Sequence, residues 1–216
     1  MKVHFAETPF EQEVLLRGWG LEAGPLIDVV LWAQGYYAEC TAFHPPGYRF
    51  IHAYAEAGRR LRELHVTRGW DVCHLNNQTA IKHEGLKLRL YPCNFDDATA
   101  DPTRSPKNLS EKGSAAERDT LANQGDLFRG RLPHVVPQAE IRRVKGYTTL
   151  ILGMNFEGEF PKAEVALPVD FLDGTFASFS IRVPLLDGTK EPTRRMPKRG
   201  GDDAFGEVDI PIKLVS

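Results

Sequence analysis

The sequence predicts an α+β fold: N-terminal helices packed on a largely antiparallel sheet, with a long polar insert. Three observations carry that expectation. Apolar residues recur at helical spacing over the first third of the chain, and they alternate with period two after Trp70. The two regimes also come as successive runs, not as alternating helix and strand, which separates α+β from α/β. All of this is read as a single domain, 1–216, with a helical part over about 9–68, a sheet over about 70–94 and 147–216, and the insert over about 94–131.

The elements follow in order. Thr8-Pro9-Phe10-Glu11 reads as a capping box with proline in the first turn, starting a helix that Gly18 and Gly20 end. Residues 26–37 are apolar nearly all round and predict a buried central helix. His44-Pro45-Pro46-Gly47 breaks the chain before a third helix over 48–66, whose stripe is Phe50, Tyr54, Ala57, Leu61 and Leu64. Leu86, Leu88 and Leu90 alternate with Lys87, Arg89 and Tyr91, as in a strand with one solvated face. Residues 147–156 form a more uniformly apolar strand. Ala163, Val165, Leu167 and Val169 alternate up to a hairpin turn at Asp173-Gly174, and Ala177, Phe179, Ile181 and Val183 alternate up to a second Asp-Gly pair at Asp187. Val208, Ile210, Ile212 and Leu214 supply a last strand.

Residues 94–131 fit neither period. They hold five large apolar residues, seven acids and six bases, with one short helix expected from Ser114 to about Ala122. A span this polar reads as a functional loop or a disordered insert.

The composition bounds the class. Of 216 residues, 42% are hydrophobic and 26% charged, which excludes a disordered chain, a fibrous repeat and a bundle of membrane spans. Three cysteines make no disulfide framework, no secretory signal precedes Glu7, and the longest apolar run is too short for a bilayer. A cytoplasmic protein with no membrane partner is expected.

Several constellations carry candidate chemistry. Cys73, His74, His83 and Cys93 are ligands zinc accepts, without the usual knuckle spacing. Glu63, Asp71 and Glu84 resemble the acids of a metal-dependent nuclease, but Leu86 stands where the partner lysine belongs. Asn76-Asn77-Gln78-Thr79 with Tyr91-Pro92-Cys93-Asn94 could read polar edges, and more simply forms a turn. A Cys–His nucleophile built from Cys40 or Cys93 is open, with nothing selecting the histidine. Nucleotide-binding, hydrolase-elbow and zinc-protease motifs are absent, so neither a cofactor nor a resident metal is expected.

Basic residues cluster although the formal net charge is -2. Arg194, Arg195, Lys198 and Arg199 lie in a Pro/Gly-rich stretch, Arg142, Arg143 and Lys145 form a second group, and Arg104, Lys107 and Lys112 stud the insert. Arg59, Arg60, Arg62 and Arg68 form a further group on the third helix, where Glu56 and Glu63 are ready partners. Mobile cations of this kind neutralise phosphates. The leading expectation is therefore a non-enzymatic binding protein that engages a polyanion, above all nucleic acid, through Arg142, Arg143, Lys145, Arg194, Arg195, Lys198, Arg199, Arg104 and Lys107. The alternatives are a metal-dependent phosphodiester hydrolase and an assembly subunit with a protein partner.

Overall fold

The computed structural model of the protein describes residues 3–74, 78–129 and 146–192. In chain order the elements are β1 (His4–Phe5), α1 (Pro9–Gly18), α2 (Ala23–Ala38), α3 (Tyr48–His65), β2 (Asp71–Cys73), β3 (Ala80–His83), β4 (Leu88–Asn94), α4 (Ser114–Arg129), β5 (Thr148–Asn155), β6 (Lys162–Leu172) and β7 (Thr175–Asp187). The strands form one sheet in the order β1-β7-β6-β5-β4-β3-β2. Neighbours pair antiparallel except β1 with β7 and β4 with β5, so the α+β class with a mostly antiparallel sheet holds. Among the described residues no helix is long and apolar enough to cross a membrane. The strand expected at 208–214 lies outside the described residues.

The local signals act as their chemistry requires. Thr8 Oγ1 accepts from the Glu11 amide at 3.2 Å, and the Glu11 carboxylate accepts from the Thr8 amide at 3.2 Å. At the β6–β7 hairpin Asp173 (φ 48°) and Gly174 (φ 76°) both sit in the left-handed region, which matches the right-handed twist of the flanking strands.

Helices α1, α2 and α3 cover one face of the sheet. Leu16, Leu26, Val29, Val30, Ala57 and Leu61 pack there on Trp70, Ile81, Leu90, Leu150, Leu152 and Val165. A smaller core on the opposite face joins Ala116 of α4 to Tyr91, Cys93, Phe95, Ile151, Phe176 and Phe179. At Gly153 an added Cβ would lie 2.3 Å from the Phe95 ring, so only glycine leaves room for this aromatic group on the strand.

Two strand expectations need correction. Leu86 is not in a strand but in the exposed turn before β4, and β4 itself has no solvated face: Arg89 and Tyr91 are buried along with Leu88 and Leu90. The cause is α4, which covers the face that the charge of Arg89 led one to assign to water. Arg89 meets Asp119 of α4 at 3.1 Å, with both side chains at most 3% exposed. On β7 the alternation also slips. Phe176 and Phe179 share the α4 face and Ala177 is exposed, because the ladder shifts opposite Pro168, which has no N–H to donate. The helix expected to stop near Ala122 extends to Arg129.

Side-chain groups tie the 95–113 connection and α4 to the sheet. Glu164 and Arg182, 0% and 3% exposed, form a two-pronged ion pair at 2.9 and 2.6 Å. The same guanidinium donates to the carbonyls of Ala98, Asp101 and Arg104, and Glu164 accepts from the Ala100 amide at 2.7 Å. Asn108 bonds Gly174 O and the Phe176 amide. Asn123 bonds both the amide and the carbonyl of Thr149, and also Pro168 O.

Removing one partner of a buried pair strands the other charge. Arg182→Met is therefore expected to lower unfolding free energy by about 3–5 kcal/mol in urea titrations, and the double variant Arg182→Met/Glu164→Gln by less.

Candidate functional site

The α2–α3 hairpin is fixed over the end of the sheet where β4 and β5 finish, hereafter the upper end. Asn94 Nδ2 donates to Phe50 O at 2.9 Å, and the Tyr37 ring packs against Phe50 and Phe156, with centroids 5.5 and 5.3 Å away.

On the hairpin a ladder of five rings runs without a break. His44 stacks on Tyr48 at 5.1 Å with planes 8° apart; Tyr48 meets His52 at 5.3 Å, His52 meets Tyr36 at 5.0 Å, and Tyr36 meets Trp32 at 5.6 Å. The backbone explains the order. Trp32 and Tyr36 are one turn apart on α2, Tyr48 and His52 are one turn apart on α3, and the antiparallel hairpin sets the two pairs side by side. Four of these rings are half-buried, His44 is exposed, and Phe43 beside it is 99% exposed. Arg49 lies over the Tyr37 ring at 5.4 Å, and contact with Tyr37 raises its pKa further. At the inner end Trp32 donates to Glu56 at 3.1 Å and lies beneath Arg59 and Arg60. A ladder closed at one end by charge and open at the other can stack planar groups against its free rings.

The sequence expectations overlooked this ladder. Its signal was the four-residue spacing of Trp32/Tyr36 on α2 and of Tyr48/His52 on α3, continued by His44 four residues before α3.

The basic groups fall out differently. Arg142, Arg143, Lys145, Arg194, Arg195, Lys198 and Arg199 lie outside the described residues. Among the described residues, Tyr147 stands just before β5, and Asp187 at the end of β7 lies across from Lys162 at the upper end. Arg104 sits on the 95–113 connection, bound to Asp97 at 2.9 Å and Asp101 at 2.8 Å. These contacts raise the pKa of Arg104 and, with Thr103, hold the Asp101 carboxyl well below the usual range. Lys107 is exposed on the same connection. The four arginines expected as a group on the third helix are engaged: on α3 Arg59 with Glu56 and Glu63, Arg60 with Asp28 of α2 and with Glu63, and Arg62 with the carbonyls of Cys73 and Ala80, and in the turn after α3 Arg68 with Glu22. That group ties α3 to α2 through Arg60 and to the sheet through Arg62.

The zinc-like set is not assembled. Cys73 and Cys93 belong to the α4-side core, while His83 contacts Trp70 on the other face and accepts from the Leu86 amide at 3.2 Å. Among the described residues no three His, Cys, Asp or Glu side chains converge to hold a metal. Of the nuclease-like acids, Glu63 is paired with Arg59 and Arg60, Asp71 sits across from Lys82, and Glu84 binds Lys82 at 2.5 Å, Lys87 at 3.1 Å and the Tyr147 hydroxyl. A separate groove of about 690 Å³ lies between α1 and β7, with Leu16, Leu21, Pro184 and Leu185 on its walls and the Glu13–Arg17 ion pair on its rim.

No family model, curated protein or solved structure matches the chain.

Lys82, then Tyr147 and Lys87, hold the Glu84 carboxyl at about 2, against its ordinary 4.5. A depressed carboxylate stabilises the fold above the unfolded value and loses that effect as pH falls through the folded one. Glu84→Gln should therefore be less stable than the unaltered protein at neutral pH, with the gap closing between pH 4.5 and about 2, as read by urea midpoints across that range.

Proposed function

We propose that the protein is a non-enzymatic module that binds a polyanion, specifically single-stranded nucleic acid, at the upper end of the sheet. The observation that carries this reading is the open ring ladder His44–Tyr48–His52–Tyr36 beside Arg49. Unpaired bases stack on such rings whatever their sequence, while cations track the backbone phosphates. Arg104 and Lys107 lie on the 95–113 connection, whose Asp97 carbonyl accepts from Lys162 Nζ at this end, and in the sequence Arg194, Arg195, Lys198 and Arg199 come after β7, which finishes here. In this reading the rings supply contact with bases and the Pro/Gly-rich basic stretch supplies charge neutralisation.

A second reading, a protein-binding assembly subunit, draws on one separate observation: Phe10 and Val14 expose 74% and 52% of their surface on α1, the helix whose Pro9, Gln12 and Glu13 line the groove against β7.

Fluorescence anisotropy with labelled homopolymeric RNA and DNA strands, repeated over a range of salt, tests the proposal. Tyr48→Ala should weaken binding by about 1–3 kcal/mol and leave the salt slope unchanged. Replacing Arg194, Arg195, Lys198 and Arg199 together by Ala should flatten the slope of log affinity against log salt by about three. Affinity indifferent to ionic strength overturns the reading.

A further inference from the structure

The three cysteines sit in unlike surroundings. Cys73 and Cys93 are 5% and 0% exposed in the α4-side core, and burial pushes the Cys93 thiol up to about 11. Cys40 is half-buried just beyond the end of α2, with Sγ 3.4 Å from Tyr36 O and 3.8 Å from His52 Nδ1. His52 is one rung of the ring ladder, its imidazole set between Tyr36 and Tyr48, so its orientation toward the sulfur is fixed from both sides. A nucleophile within reach of a base that is itself oriented by other groups is the arrangement of an activated thiol.

We propose that Cys40 is a thiol-modification site at which His52 acts as the base, taking a low-molecular-weight disulfide as its reaction partner. For this role Nδ1 of His52 carries the lone pair and Nε2 the hydrogen. The Cys40 proton passes to Nδ1 as Sγ attacks one sulfur of the incoming disulfide. The new Sγ–S bond forms while the original S–S bond breaks, and the departing thiolate takes the proton back from the imidazolium. One disulfide is consumed and one mixed disulfide is made, with one free thiol released and His52 again neutral. The reaction is reversible by excess thiol. It shares His52 with the ring ladder but needs neither the basic stretches nor any nucleic acid, so the thiol reaction is read without the strand-binding measurement and either can fail alone.

The full chain is treated with the aromatic disulfide DTNB under native conditions, with the released chromophore followed by absorbance and the adduct located by mass spectrometry. The expected result is one fast equivalent on Cys40, reacting about tenfold faster than the same thiol in the urea-unfolded chain. Cys40→Ser should abolish the fast phase, and His52→Gln should slow it to the unfolded rate without changing the rate in urea. The proposal is overturned by a fast adduct on Cys73 or Cys93, by a native rate for Cys40 at or below the unfolded rate, or by an unchanged rate in folded His52→Gln. If His52→Gln does not fold, the ratio of native to unfolded rates in the unaltered chain decides.

Discussion

The buried Arg182–Glu164 pair governs how this chain packs its polar middle. A guanidinium and a carboxylate taken out of water together are tolerable only if their remaining donors and acceptors are filled. Here the backbone of the 95–113 connection fills them: three carbonyls bind Arg182 and one amide binds Glu164. The dependence runs both ways, since a connection with so few apolar residues has little else to bind it to the sheet. Asn108 and Asn123 repeat the device further along. Asn123 bonds Thr149 and Pro168 just past Ile151 and Ala166, the terminal pair of the β5–β6 ladder. The side-chain amide thus bridges two strands that no longer pair directly.

How much of this could be read from the sequence depends on whether a signal was local. The Thr8 capping box and the Asp173-Gly174 turn depend on residues a few positions apart and have their expected form, while the buried line of α3 runs through Ala53, Ala57, Leu61 and His65, sharing only Ala57 and Leu61 with the expected stripe. The second face of β4 was illegible for a definite reason. Periodicity treats a charged residue as solvated, and the partners of Arg89 in the interior, Asp119 of α4 and Gln78, stand outside its own strand. The arginines of α3 show the same limit. Arg59 pairs along its own helix as spacing suggests, but Arg60 turns to Asp28 on the neighbouring helix. The slip at Pro168 was visible as a proline within an alternating run, although its effect on β7 emerges only once the two strands are registered.

The upper end of the sheet shows why candidate sites were harder to read than elements. Each half of the ring ladder was written at one-turn spacing, yet the halves become a ladder only because a short hairpin brings α2 and α3 together antiparallel. The same closeness selects His52 as the histidine beside Cys40, a choice that spacing along the chain left open.

The pairing of β1 with β7 carries a consequence for how the protein is made. His4 and Phe5 find Ile181 and Arg182, so the first strand has no partner until nearly all the described chain has been synthesised. Meanwhile α1, α2 and α3 emerge with apolar faces whose sheet partners in β5, β6 and β7 do not yet exist. Contacts this distant along the chain slow folding and leave hydrophobic surface waiting. Until β5, β6 and β7 have been made, the apolar faces of α1, α2 and α3 have nothing in the sheet to cover them, and β1, two residues long, pairs with a strand about 175 positions further on.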